Sequence, residues 1–135
     1  MTFRVTSIRH ELSGNYVVGF ASYIGNARAT WHGEEPIVDE EYNVEVNVGV
    51  KLTWGLNIKP CRNDAPRIWL EDDTCYIQGR LRIQFAHLDD VDTDYYLQVG
   101  HWIVTPDAVL NAPSEEQPCV VAVPCRSVEL FPYHI

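Results

Sequence analysis

The nearest approach to a metal-binding motif in this chain is the run Asp89-Asp90-Val91-Asp92-Thr93-Asp94. Carboxylates at 90, 92 and 94 alternate as in an EF-hand calcium loop, which supplies oxygens from its first, third and fifth positions. The match ends there. Tyr95 stands where the sharp turn of such a loop requires glycine, and Val99 to Trp102 offers no bidentate glutamate at the twelfth position. The run therefore reads as an acidic loop between strands and as part of a partner surface, with Asp89, Asp90, Asp92, Asp94 and Tyr95 as contact candidates. Trp69, Glu71, Asp72 and Asp73 repeat the combination of an aromatic ring beside carboxylates and complete the candidate set. Tyr and Trp at a surface make protein-binding anchors, because each joins a large apolar body to a polar tip.

The remaining reactive residues fall into no catalytic pattern. Further acids cluster at Glu34 and Glu35 with Asp39 to Glu41, and at Glu115-Glu116. A carboxylate pair that works as acid and base needs one member desolvated, which loop acids lack. His10, His32, His87, His101 and His134 sit at no ligand spacing, the serines lie in nothing like Gly-x-Ser-x-Gly, and no glycine-rich phosphate loop is present. Cys61, Cys75, Cys119 and Cys125 include no pair two to four residues apart. They read most simply as buried small hydrophobes or surface passengers, with a Cys61–Cys119 disulfide as the alternative. No catalytic, cofactor-binding or metal-ligating residue is assigned, and the chain is read as non-catalytic.

Charge narrows the partner. Nineteen acids against ten bases give a net charge of −9, and only Lys51 and Lys59 among the bases are lysines. A phosphate-binding surface needs clustered Lys and Arg to displace counterions. This chain carries the opposite field, which repels nucleic acid and anionic membrane and draws in a basic protein. No apolar run approaches the roughly 20 residues of a membrane helix. The opening Met1-Thr2-Phe3-Arg4 leads into strand-like sequence without the apolar stretch of a secretion signal, so the expected compartment is the cytoplasm.

The elements that must position these residues are strands. From Val44 to Ile58 every even position is apolar and every odd position is polar or glycine. A period of two means one face on a core and one toward water. A ribbon of that length would reach about 50 Å, too long to stay flat in one domain, so a bend is expected at Gly49 or Gly55. Cys75–Phe85 alternates in the same way. Val120 to Tyr133 changes phase across Arg126 and Ser127, which asks for a bulge or a change of sheet. Shorter strands are expected at Phe3–Ile8, Asn15–Tyr23, Ala27–Trp31, Tyr95–Val99 and Trp102–Thr105. Pro106 to Asn111, with Thr105 as N-cap, predicts one or two helical turns.

The expected fold is thus all-β: a curled antiparallel barrel or sandwich of about eight strands in a single domain. Residues 59–66 divide the chain near its middle, and the halves 1–60 and 67–135 read as two similar β-modules. Tyr16-Val17-Val18-Gly19 matches Tyr76-Ile77-Gln78-Gly79, while Val44, Val46, Trp54 and Ile58 match Val121, Val123, Phe131 and Ile135. Three strands, a short helix and two strands make the second half similar to an OB-fold in element order.

Small size, strong acidity and the lack of catalytic chemistry resemble the immunity proteins of bacterial toxin systems. The resemblance is one of general character over the whole chain and carries no motif residues. It implies a cytoplasmic protein that covers the basic active site of a toxin domain. The alternative is an OB-type module for nucleic acid, with a basic groove around Arg80, Arg82 and Arg126, or for a small ligand in a barrel mouth. A homodimer joined through free strand edges is a further expectation.

Overall fold

The computed structural model describes residues 1–85 and 93–133, without the side chains of Phe85 and Thr93. Asp89, Asp90 and Asp92, and with them most of the calcium-like run, lie outside the described residues. Eleven strands follow in chain order: β1 (Thr2–His10), β2 (Tyr16–Ser22), β3 (Gly25–Trp31), β4 (Glu41–Thr53), β5 (Ile58–Pro60), β6 (Arg67–Glu71), β7 (Thr74–Phe85), β8 (Thr93–Val99), β9 (Trp102–Leu110), β10 (Gln117–Pro124) and β11 (Val128–Pro132). Among the described residues the single helical element is a 3₁₀ turn at Cys125–Ser127. No helix there is long and apolar enough to cross a membrane.

The strands close a barrel and extend it. β1, β2 and β3 form an antiparallel meander. The third strand pairs in parallel with β11, β11 pairs antiparallel with β4, and the start of β4 returns to β1, so five strands make a closed ring. The later part of β4 continues into a second, curled sheet in the order β4-β9-β8-β7-β10-β5, with β6 beside β7. A parallel bridge between Trp54 and Ile58 brings the end of that sheet back to the end of β4.

The two units share a connectivity. In each, three strands form a meander (β1-β2-β3; β7-β8-β9), a fourth closes on the first (β4 on β1; β10 on β7), and the third pairs in parallel with a strand from the other half. Of the expected matches, Val44 and Val46 with Val121 and Val123 relate β4 to β10, Trp54 with Phe131 relates the residue after β4 to β11, and Ile135 lies outside the described residues. The match of Tyr16–Gly19 with Tyr76–Gly79 joins β2 to β7, which are not equivalent.

Four expectations need correction. The helix at 106–111 is strand: β9 runs through Pro106 to Leu110 because Asn47 to Thr53 of β4 gives it a parallel partner. The Thr-Pro start signal was local, and pairing overrode it. Without that helix the second half does not have the OB-like order of elements, and its last strand, β11, belongs to the first ring. The strand count is eleven rather than about eight: β5 and β6 are strands of their own, and the ribbon from Val120 is divided into β10 and β11. The ribbon from Val44 stops at Thr53. Gly55, at φ +92°, begins a turn that leaves Leu56 71% exposed, and Ile58 starts a separate strand.

One apolar core runs through both units. Val44, Val46, Val48 and Leu52 of β4 are buried together with Phe3, Phe20, Trp31, Ile77, Leu81, Val104, Val121 and Leu130. Gly25, at φ +138°, seals the units where Ile68 N donates to the Ile24 carbonyl at 2.9 Å. A Cβ at Gly25 would lie 1.7 Å from the Ile68 carbonyl oxygen. Truncating Leu130, which is fully buried at the junction of β11 with β3 and β4, removes contacts that the ring cannot collapse to replace. Leu130→Ala is expected to lower stability by about 3 kcal/mol in urea unfolding, and a loss under about 1 kcal/mol would contradict this packing.

Candidate functional site

The residues nominated by sequence form two surfaces at opposite ends of β7. Trp69 and Glu71–Asp73 belong to the β6–β7 hairpin, whereas Asp94 and Tyr95 open β8, which pairs with the far end of β7. A straight strand of that length spans about 35 Å, so the two groups make separate surfaces.

The first surface is an aromatic ladder flanked by acids. Trp69 stands directly across from Tyr76, their rings stacked 5.0 Å apart at 5°, and the Arg67 guanidinium lies 4.4 Å above the indole. Such cross-strand pairs stabilise a hairpin by about 0.2–1 kcal/mol. The turn beyond is held from two sides. Arg28 donates to the Asp72 carbonyl at 2.8 Å and to Asp73 Oδ1 at 3.1 Å, and Cys125 N donates to the Asp73 carbonyl at 2.8 Å. Asp72 sits at φ +53°, a conformation that Asp adopts more readily than most residues. Asp73 is thus engaged in fixing the turn, and Glu71 and Asp72 present exposed carboxylates without a cationic partner among the described residues. Desolvation, and then the charge of Glu71, push the Tyr76 phenol above its ordinary pKa.

The second surface is a cleft of about 910 Å³. Asp94, Tyr95 and Tyr96 line one wall, Thr105 to Val109 the other, and Arg82, Ile83 and Glu116 the end. Asp94 and Asp107 are exposed, while both tyrosines are half-buried. Glu116 Oε2 accepts from Ile83 N at 2.9 Å, beyond the point where β10 stops pairing with β7. The same oxygen lies 3.2 Å from Arg82 Nε, off the axis of an aligned hydrogen bond, so their attraction is mainly electrostatic.

Several contributors to these surfaces escaped the sequence. Tyr76 and Arg67 were visible as residues, but without β6 their register against Trp69 was not. The sequence pattern puts Asp107 in a helix and gives Glu116 no neighbour. A third feature was also missed: a pocket of about 520 Å³ holds Glu11, Thr30, His32, Arg126 and Glu129. Arg126 meets Glu11 at 2.7 Å and His32 meets Glu129 at 2.7 Å. The hydrogen bond from Arg126 holds the Glu11 carboxyl below the usual range.

The arginines are largely spoken for. Arg4, Arg9, Arg28, Arg80, Arg82 and Arg126 each lie within 4.0 Å of a carboxylate. Arg126 is held at Glu11, whereas Arg80 and Arg82 project from β7, so these three do not share a groove. Among the described residues no group of three or more His, Cys, Asp or Glu side chains is gathered as a metal site. Comparison with protein-family models, curated proteins and solved structures finds no match for the chain.

All four cysteines are free thiols. Cys61, the one that is not buried, lies beside Pro118 through its N–H and bonds its Sγ to the Asn63 carbonyl at 3.1 Å. Burial pushes Cys75 and Cys119 up to about 12, which keeps both protonated and unreactive at neutral pH. Titration of the native protein with a thiol reagent at pH 8 is expected to show one accessible thiol, Cys61, and three more only on unfolding. Fast labelling of Cys75 or Cys119 in the native protein would contradict that burial.

Proposed function

We propose that this chain is a non-catalytic protein-binding domain that holds a basic partner through its acidic surfaces. The observation that carries the reading is the division of charge. Six of the eight arginines lie in ion pairs within the chain, while Glu40, Glu41, Glu45, Glu71, Asp72 and Asp107 are exposed with no such pair among the described residues. A surface of that kind raises the association rate of a cationic protein and rejects polyanions. The finer reading is an immunity protein that neutralises a basic toxin domain in the cytoplasm, supported by acidity, size and the half-buried Trp69–Tyr76 ladder beside the exposed Glu71 and Asp72. The nucleic-acid alternative needs a free basic groove, and the pairing of Arg80, Arg82 and Arg126 speaks against one.

The test is affinity capture from a host lysate, identification of the bound protein, and titration of that purified protein against the chain. Basic partners should dominate. Raising salt from about 0.1 to about 0.5 M should weaken the complex at least about tenfold, since exposed charges are screened over a few ångströms at the higher salt. The double variant Glu71→Lys/Asp72→Lys should weaken it by a similar factor. Affinity that is indifferent to both salt and charge reversal would overturn the electrostatic reading, and tight binding of single-stranded oligonucleotide at low salt would replace it.

A further inference from the structure

The β8–β9 hairpin is paired only near its turn. Leu97, Gln98 and Val99 face Val104, Ile103 and Trp102. Val104 has a second neighbour, Val46 of β4, and from that point β9 follows β4 through Thr105 to Leu110. β8 from Thr93 to Tyr96 stays with β7. The two strands therefore part, and the 910 Å³ cleft opens between them and extends to Arg82, Ile83 and Gln84 at the end of β7 and to Glu116. Each wall has its partner strand on its outer side. Among the described residues neither has one on the side facing the cleft. An open strand edge is a template for an added strand, and here two edges face one gap.

The lining selects among extended chains. Tyr95 and Val109 pack against the core, so one face of an inserted strand would meet apolar surface. Asp94 and Asp107 are exposed at the rim, and Glu116 closes the end with its charge set against Arg82. Three carboxylates against one guanidinium leave the cleft acidic. A strand alternates its side chains between two faces, so the matching ligand carries apolar residues at every second position and lysine or arginine between them.

We propose that the β8–β9 cleft binds an extended basic peptide segment as an added β-strand. The inference rests on the partner reading above and deepens it by saying which part of a basic partner is taken and how. Main-chain hydrogen bonds to β8 and β9 supply affinity, and Asp94 and Asp107 choose the charge. The open edge of β9 from Thr105 to Leu110 accommodates about 20 Å of chain, or about six residues.

The probe is a terminally blocked eight-residue peptide of alternating Lys and Val, titrated into the isotope-labelled full chain. Amides of Asp94 to Tyr96 and of Thr105 and Asp107 to Val109 should gain at least about tenfold hydrogen-exchange protection, while those of the β6–β7 turn stay unchanged. Methylating alternate peptide nitrogens, in one of the two possible phases, should weaken binding at least about tenfold, a loss of about 1.4 kcal/mol. Asp94→Lys/Asp107→Lys, at exposed positions, should weaken the Lys-Val peptide similarly and admit a peptide of the same length that alternates Glu and Val. Binding indifferent to methylation in both phases, protection confined to another surface, or no binding by about 1 mM would each overturn the cleft proposal. The broader reading is separable. If a captured basic protein loses affinity with Glu71→Lys/Asp72→Lys but not with Asp94→Lys/Asp107→Lys, the acidic-surface reading stands and the cleft falls. If the peptide binds as described and no basic protein is captured, the cleft stands and that reading falls.

Discussion

The architecture depends on one strand having partners along both edges. Val46 of β4 pairs with Leu130 of β11 on one side and with Val104 of β9 on the other. Its first residues belong to β1 and its last ones to β9, so β4 closes the five-stranded ring and founds the second sheet. The alternation of Val44, Val46, Val48 and Leu52 makes this workable, because a single buried face serves both units while Glu45, Gly49 and Lys51 remain outside. A one-residue slip would turn the whole valine row to solvent, and that fixes the register of everything paired to it. The ladder to β9 shifts between Val48 and Lys51, where Gly49 leaves room for the Glu129 side chain.

From that constraint the surfaces follow. Because β9 must run with β4, it leaves β8 after Val104, and the cleft beside Tyr95 and Tyr96 is the geometric result. The β6–β7 hairpin, at the other end of β7, is fastened to the first ring by Ile68 on Ile24 and by Arg28 on the Asp72–Asp73 turn. Glu71 and Asp72 are therefore presented on a rigid mount, at low entropic cost to any partner that meets them. The arginines that fasten such turns are the same ones withdrawn from the surface field, so folding and acidity are linked.

Much of the fold was legible because it rests on period-two patterning. The valine row of β4, the alternation of Cys75–Phe85 and the break at Arg126–Ser127 all have counterparts in the structure, the last as a 3₁₀ turn between strands of different units. What failed was whatever depends on distant partners. Thr105-Pro106 looks like a helix start until β4 lies beside it, and Arg67–Glu71 is too short and charged to announce itself as a strand. The candidate site was legible as composition only. Aromatic residues beside acids marked Trp69, Glu71 to Asp73, Asp94 and Tyr95, but their division into two surfaces, and the roles of Tyr76, Tyr96, Asp107 and Glu116, follow from register, which no local pattern contains.

If β4 joins both units into one cooperative structure, their slowest amides must open together. Native-state hydrogen exchange against denaturant measures this directly. Amides of β2 in the first ring, β7 in the second sheet and the Val44–Leu52 stretch of β4 should converge on one opening free energy with one denaturant slope, equal to global unfolding. Exchange of β7 and β10 through a separate, lower-energy opening that leaves β1, β2 and β3 protected would contradict the account, because the shared strand would then not be holding the two halves as one.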